Sequence, residues 1–293
     1  MYISLIILPV LTLIAWTISN SMIKGLTSKM DTNLISTIII GVGILPMLAS
    51  IIIDPVSNIE PLVMILSGIS GLMLGTGYIL FYKSLKSADL GNAGVTLNIQ
   101  QIVVIMFGLL ILKEQITSLM LPGISLIIIG SVFVTVKRGF KVNKILIIAS
   151  MANMIWGIYY IPLTFAILSL HASPVPLLLA RITGFFAVIL IFNIKPVISR
   201  SRSIKNVHET THSRVAFAVL LSAVAAGMLD GTGNVLYALS IQYGIIIMAG
   251  AFIAMLPATL GLAGKFIYKE KLTLVQYSGI LVSVLGALFI AVG

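Results

Sequence analysis

The chain has 293 residues, 59% of them hydrophobic and 9% charged, with a mean hydropathy of +1.17. A soluble domain carries roughly 25% charged residues, so the composition excludes a water-facing surface and makes the bilayer the solvent. The net charge of +10 sits in loops between apolar runs, which points to membrane topology and not to nucleic acid. The absence of cysteine excludes disulfides, thiolate catalysis and cysteine metal sites.

In lipid only helices and closed barrels satisfy the backbone, and long apolar runs select helices over ten-residue alternating strands. Ten runs follow in chain order, at 2–21, 33–53, 62–82, 92–112, 119–136, 145–169, 175–194, 215–238, 245–266 and 274–292. The opening "MYISLIILPV" has no basic n-region and reads as a first membrane helix, not a cleaved signal. Connections are short except "KPVISRSRSIKNVHETTHSR" (195–214), read as a solvated cytoplasmic loop, with a lipid- or partner-binding patch as its alternative. Odd-numbered loops, counted with Lys265 at the adjoining end of span nine, hold 16 of the 18 Lys and Arg residues; the others are Lys113, in an even loop, and Arg181, within a span. The positive-inside rule then puts the odd loops in the cytoplasm and both termini outside.

A phrase is written twice. "LMLGTGYILFYKSL" (72–85) and "GMLDGTGNVLYALS" (227–240) overlap at an offset of 156 residues, which carries Gly75-Thr76-Gly77 onto Gly231-Thr232-Gly233 and Ser84 onto Ser240. The same offset carries Lys113-Glu114 onto Lys269-Glu270, Thr117 onto Thr273, Gly123 onto Gly279 and Gly130 onto Gly286. Trp16 and Trp156 correspond at an offset of 140. Each repeat holds five spans, and an odd number makes the second copy enter the membrane from the opposite side. The expectation is an all-α membrane protein of ten transmembrane helices, built as two inverted five-helix repeats, 1–140 and 141–293. Inverted repeats around a midplane cavity are the architecture of many secondary transporters.

"AWTISNSMIK" and "WGIYYIPLTF" resemble the first-helix pattern of the EamA-type drug/metabolite transporter superfamily. So do "GTGYILFYKSL", "LLARITGFFAVIL" and "LDGTGNVLYALSI", while "LKEQIT" and "YKEKLT" resemble the family's ends of helices four and nine. The resemblance covers essentially the whole chain. It implies a ten-helix bundle with a central cavity, moving amino acids, amines, sugars, nucleotide-sugars or other metabolites, with export slightly favoured. The family usually keeps both termini in the cytoplasm; the charge bias here says the reverse.

Asp230 stands in span eight, ~15 Å deep, and Arg181 in span seven, ~9 Å deep from the same face, at 1.5 Å per residue. An intramembrane acid is a functional candidate by default. Asp230 can carry a proton, pair with a cationic substrate or serve structure, and a salt bridge to Arg181 competes with the proton role. Arg181 can instead hold a substrate carboxylate, snorkel, or bond between helices. Leu74 occupies the position matching Asp230, so the cavity is expected to be electrostatically lopsided. Candidate substrate contacts are the aromatics Trp16, Tyr78, Tyr82, Trp156, Tyr159, Tyr160 and Tyr237, and the amides Asn20, Asn98, Gln101 and Asn234. Gln100 and Asn153 are further hydrogen-bonders, with interhelical bonding the structural alternative for every amide. The glycines read as close helix contacts, Pro9, Pro46, Pro162 and Pro257 as packing or kink sites, and the two Lys-Glu pairs as fold markers or gate ion pairs.

The favoured reading is a plasma-membrane secondary transporter, with small-molecule substrate, lipid and protons as partners, no nucleic acid, no cofactor and no metal. One chain suffices for function, and a dimer is compatible with it. A membrane-embedded enzyme lacks clustered acids or histidines in the spans, since His171, His208 and His212 all lie in loops. A scramblase or channel would leak without saturation, and a primary pump would need a phosphate-binding loop.

Overall fold

Each apolar run folds as helix, because a backbone in lipid has to bond within its own segment. The computed structural model describes residues 2–53, 58–87, 90–135, 144–192, 211–243 and 246–292. In order these are α1 (Tyr2–Leu26), α2 (Thr32–Val42), α3 (Ile44–Ile53), α4 (Pro61–Ser87), α5 (Leu90–Leu110), α6 (Met120–Thr135) and α7 (Lys144–Leu170). Then come α8 (Pro174–Ala187) with a π-turn (Val188–Phe192), α9 (Thr211–Tyr243), α10 (Ile246–Ile253), α11 (Leu256–Tyr268) and α12 (Leu274–Val292). No strand occurs among the described residues. Seven segments are long and apolar enough to cross a membrane, and three shorter apolar helices, at Thr96–Leu110, Met120–Val134 and Pro174–Leu190, fall on the remaining expected runs. Most of the polar loop 195–214 lies outside the described residues, so its reading stays at the level of sequence.

The surface is inverted relative to a soluble protein. Leu72, Leu281, Leu285 and Phe186 are exposed, while Ser67, Ser131, Asn153, Arg181 and Asp230 are buried. Lipid contact makes an exposed leucine costless, and bonding within the bundle makes a buried polar group tolerable.

Two expected spans are broken. The run 33–53 is α2 and α3, interrupted at Gly43. The run 245–266 is α10 and α11, interrupted at Ala254-Met255. Pro257 begins the second piece near its first position, where its missing N–H costs nothing, and the Ser131 hydroxyl donates to the Ala254 carbonyl at 2.7 Å. Pro9 and Pro162 lie inside helices that continue past them.

Packing follows the repeat. α1 lies against α9, and its counterpart α7 lies against α4. A Cβ on Gly233 of α9 would meet Trp16 at 2.6 Å, and one on the matching Gly77 of α4 would strike Trp156. α4 meets α8 through Gly71, Gly75 and Gly184, and α9 meets the α2–α3 break through Gly227 and Gly231. α6 and α12 pack antiparallel. A Cβ on Gly130 would lie 2.5 Å from the Gly279 carbonyl, and one on Gly123 would lie 2.8 Å from that of Gly286. The 156-residue shift carries each of these glycine pairs onto the other. Small residues at such crossings let backbones approach where lipid offers no hydrophobic drive.

Candidate functional site

Arg181 is the largest fully buried side chain among the described residues. It stands on α8, and a charge there needs partners on every side. Its Nη2 donates to Asp230 Oδ2 on α9 at 2.6 Å and to the Ile39 carbonyl at 2.8 Å. Nε donates to the Ile40 carbonyl at 3.0 Å, and Nη1 to the Tyr78 hydroxyl on α4 at 2.8 Å. Tyr78 in turn donates to Asp230 Oδ2 at 2.6 Å, and the Tyr78 ring lies 5.1 Å from the guanidinium carbon. Ile39 and Ile40 end α2, so the cation also meets the negative end of a helix dipole. This explains the glycine at position 43, where a Cβ would collide with the guanidinium; the break itself falls where Pro46 withholds an N–H from the Val42 carbonyl. The salt bridge anticipated from matching depths is present, joining α8 and α9 to α2 and α4.

Beside this pair is a cavity of about 40 Å³. Of the residues singled out from sequence, Trp16, Asn20, Tyr78, Tyr82, Gln101, Trp156, Tyr159, Tyr160, Asp230 and Asn234 line it. Gln100, Leu74, Leu97 and Leu256 also line it; the two leucines at 97 and 256 carry no signal that sequence reading would single out from other membrane leucines. Asn98, Arg181 and Tyr237 lie outside the lining. Tyr237 packs on Trp16 and Tyr160, with ring centroids 5.5 and 4.8 Å apart.

The two tryptophans make matching bonds. Trp16 Nε1 donates to the Asp230 carbonyl at 3.4 Å, and Trp156 Nε1 to the Leu74 carbonyl at 3.3 Å. Positions 74 and 230 are themselves 156 residues apart. Asn234 Nδ2 donates to the Asp230 carbonyl at 2.8 Å. Asn20 Nδ2 donates to the Trp16 carbonyl on its own helix, and Asn153 bonds between helices, to Thr96 Oγ1 at 2.9 Å. Asn98, Gln101 Oε1, Tyr159 OH and Tyr237 OH are buried without a protein partner. Buried polar atoms without protein partners call for water or a ligand.

Between α5 and α6, Glu114 does not pair with Lys113. Its Oε1 and Oε2 accept the Ile246 and Ile247 N–H groups at 2.9 and 3.0 Å, capping α10. Burial pushes this carboxyl above its ordinary value, and the two N–H bonds offset part of the shift. Among the described residues no group of His, Cys, Asp and Glu has the arrangement of a metal site.

The EamA-like transporter family model matches residues 3–136 and again residues 143–292. No curated protein sequence is significantly similar to the chain. Among known structures 28 chains match. One, described as "Crystal structure of protein", aligns over 98% of this chain and 96% of its own, with a TM-score of 0.72 and 15% identity. At that identity the likeness is one of fold. The two family matches together cover nearly the whole chain, and the chain belongs to the EamA-like transporter family.

Proposed function

We propose that this protein is a plasma-membrane secondary transporter of a small organic solute. It works by alternating access of two inverted five-helix repeats, residues 1–140 and 141–293, around the aromatic cavity. The observation that carries this reading is the pair of indole bonds, each tryptophan donating to the repeat-equivalent carbonyl of the other half. Two halves that grip each other through matching contacts have two packings of similar energy available, and a ligand shifts them by its differential affinity. The cavity of about 40 Å³ holds roughly three water molecules, at 10–15 Å³ each. A solute therefore enters in a conformation more open than this one.

The chemistry of the lining narrows the solute. Arg181 and Asp230 neutralise each other, and four guanidinium bonds are already made. What remains for a substrate is aromatic surface and uncharged amide and phenol groups. A solute with no net charge fits best, such as a zwitterionic amino acid or a neutral relative. Export is favoured by the family resemblance. A sugar is the second reading, supported by the unpartnered neutral hydrogen-bonders. A single chain contains both halves of the cavity and suffices for the cycle.

The experiment is counterflow in proteoliposomes with amino acids, amines and sugars, comparing the parent with Asp230→Asn, with and without a pH gradient. Saturable exchange of one uncharged or zwitterionic solute is expected. Exchange that persists in Asp230→Asn without response to the gradient assigns proton coupling to Asp230. An unchanged gradient response leaves the ion pair a structural element. Non-saturable leak of every solute sinks the transporter reading in favour of a pore.

A further inference from the structure

We propose that a groove between α1 and α9, at the odd-connection end of the bundle, binds one anionic phospholipid, with an acyl chain between the helices and the phosphate on Lys29. The α1–α9 seam joins the two repeats and is held by two bonds. Trp16 Nε1 donates to the Asp230 carbonyl at 3.4 Å, and the Ser19 hydroxyl to the Ala226 carbonyl at 2.9 Å. One turn further along, the helices part. Met22, Gly25 and Leu26 of α1 face Ala218, Val219 and Ser222 of α9 across a space of about 300 Å³. The central cavity holds about 40 Å³, and ligand pockets begin at roughly 300 Å³. Three of the six wall residues are small, and Ser222 turns its hydroxyl back onto the Ala218 carbonyl of its own helix at 2.8 Å. The repeat does not dictate this gap. An offset of 140 carries Gly25 and Lys29 onto Phe165 and Ser169, and an offset of 156 carries Leu62 and Leu66 onto Ala218 and Ser222. Bulk without charge stands in the other half where this half has space and a cation.

The walls and the rim together select the occupant. The walls are mostly hydrocarbon and suit an acyl chain. Lys29 lines the mouth of the groove and is exposed. Its backbone N–H donates to the Leu26 carbonyl at 2.8 Å, which folds the turn back over the helix end. An amphiphile with a tail and an anionic head uses both features. A free phosphate would use the lysine and leave the walls uncovered. Sixteen basic residues lie in or at the edge of the odd connections, so this end of the bundle draws anionic lipid, and basic pockets between membrane helices bind such headgroups. The connection 195–210 is the rival occupant and lies outside the described residues. Its sequence carries Lys195, Arg200, Arg202 and Lys205 against one acid, Glu209. That charge has the same sign as Lys29, and its polar side chains do not match apolar walls. The groove is separate from the central cavity, so the proposal stands or falls without the transport reading.

The test uses the cysteine-free chain. Ala218→Cys puts one thiol on the groove wall. Phe217→Cys puts a reference thiol at the neighbouring position, which is 66% exposed and outside the lining. A water-soluble maleimide reports the reaction rate of each in detergent micelles, with phosphatidylglycerol or phosphatidylcholine of the same chains added. Phosphatidylglycerol is expected to slow the groove thiol at least threefold relative to phosphatidylcholine and to leave the reference thiol within a factor of 1.5, about the scatter of one such rate. Lys29→Gln is expected to abolish the difference at the groove thiol. Equal slowing of both thiols describes lipid that merely coats the bundle, and overturns the site. Slowing that survives Lys29→Gln, or no preference for phosphatidylglycerol, overturns it as well. Inorganic phosphate that protects equally well replaces the lipid with a free anion. A groove thiol protected before any lipid is added, and freed by shortening 195–210, gives the groove to that connection and overturns the proposal. Ser222→Cys reports from the same wall if Ala218→Cys does not fold.

Discussion

The ion pair of Arg181 and Asp230 shows what one charged side chain does to its surroundings in a membrane. The arginine has four bonds, and two of them go to backbone carbonyls at the end of α2. Removing one partner leaves the other charged and buried, which costs about 3–5 kcal/mol. Arg181→Met and Asp230→Leu are each expected to lower the thermal midpoint in detergent strongly. The double variant is expected to recover much of that loss, because leucine at this position is what the first repeat already carries at Leu74 and no charge is left unpaired. A double variant as unstable as the sum of the singles would show that the pair is not a unit. Gly43→Ala tests the same contact from the backbone side, since its methyl group would displace the guanidinium; a loss of about 1–3 kcal/mol is expected from overpacking. The pair was legible from depth alone, as two opposite charges ~6 Å apart along the bilayer normal are within reach of an arginine. Its carbonyl partners were not legible, because an apolar run does not announce which of its carbonyls a side chain from another helix will take.

At the scale of elements, the apolar runs were readable because twenty hydrophobic residues have one solution in lipid. The breaks were harder. Residues 33–53 contain no charge and one proline, Pro46, in the first turn after the interruption. Pro46 marks the break, since its ring crowds the Val42 carbonyl four residues back and it has no N–H to give that carbonyl. What periodicity does not announce is that Arg181, from a different element, takes the Ile39 and Ile40 carbonyls just before it. The glycines were readable as contact points, but their partners appear only in the packing of α1 on α9 and α7 on α4. There each tryptophan lies over one glycine, Trp16 over Gly233 and Trp156 over Gly77. Gly233→Ala is expected to push Trp16 off its seat and weaken its bond to the Asp230 carbonyl. With two tryptophans in the chain, a Trp156→Phe background isolates Trp16 emission. A shift in that emission with Gly233→Ala, and none with Gly77→Ala in the same background, is the expected outcome. Equal shifts from both would mean that the two interfaces are not separate contacts.

At the scale of the whole molecule, the open quantity is which face of the membrane each end of the bundle meets, and the loop charges predict it. Sixteen basic residues lie in or at the edge of odd connections and one in an even connection. Basic loops are retained on the cytoplasmic side during insertion, and short loops obey this best. The EamA resemblance carries the opposite habit, so the two sources disagree, and the charge count is the physical one. Two exposed loop serines, Ser28 in the first connection and Ser118 in the fourth, make the test direct in a chain without cysteine. Ser118→Cys is expected to react with an impermeant maleimide in intact cells, and Ser28→Cys only after permeabilisation. The reverse pattern would mean that insertion follows the family habit against sixteen charges.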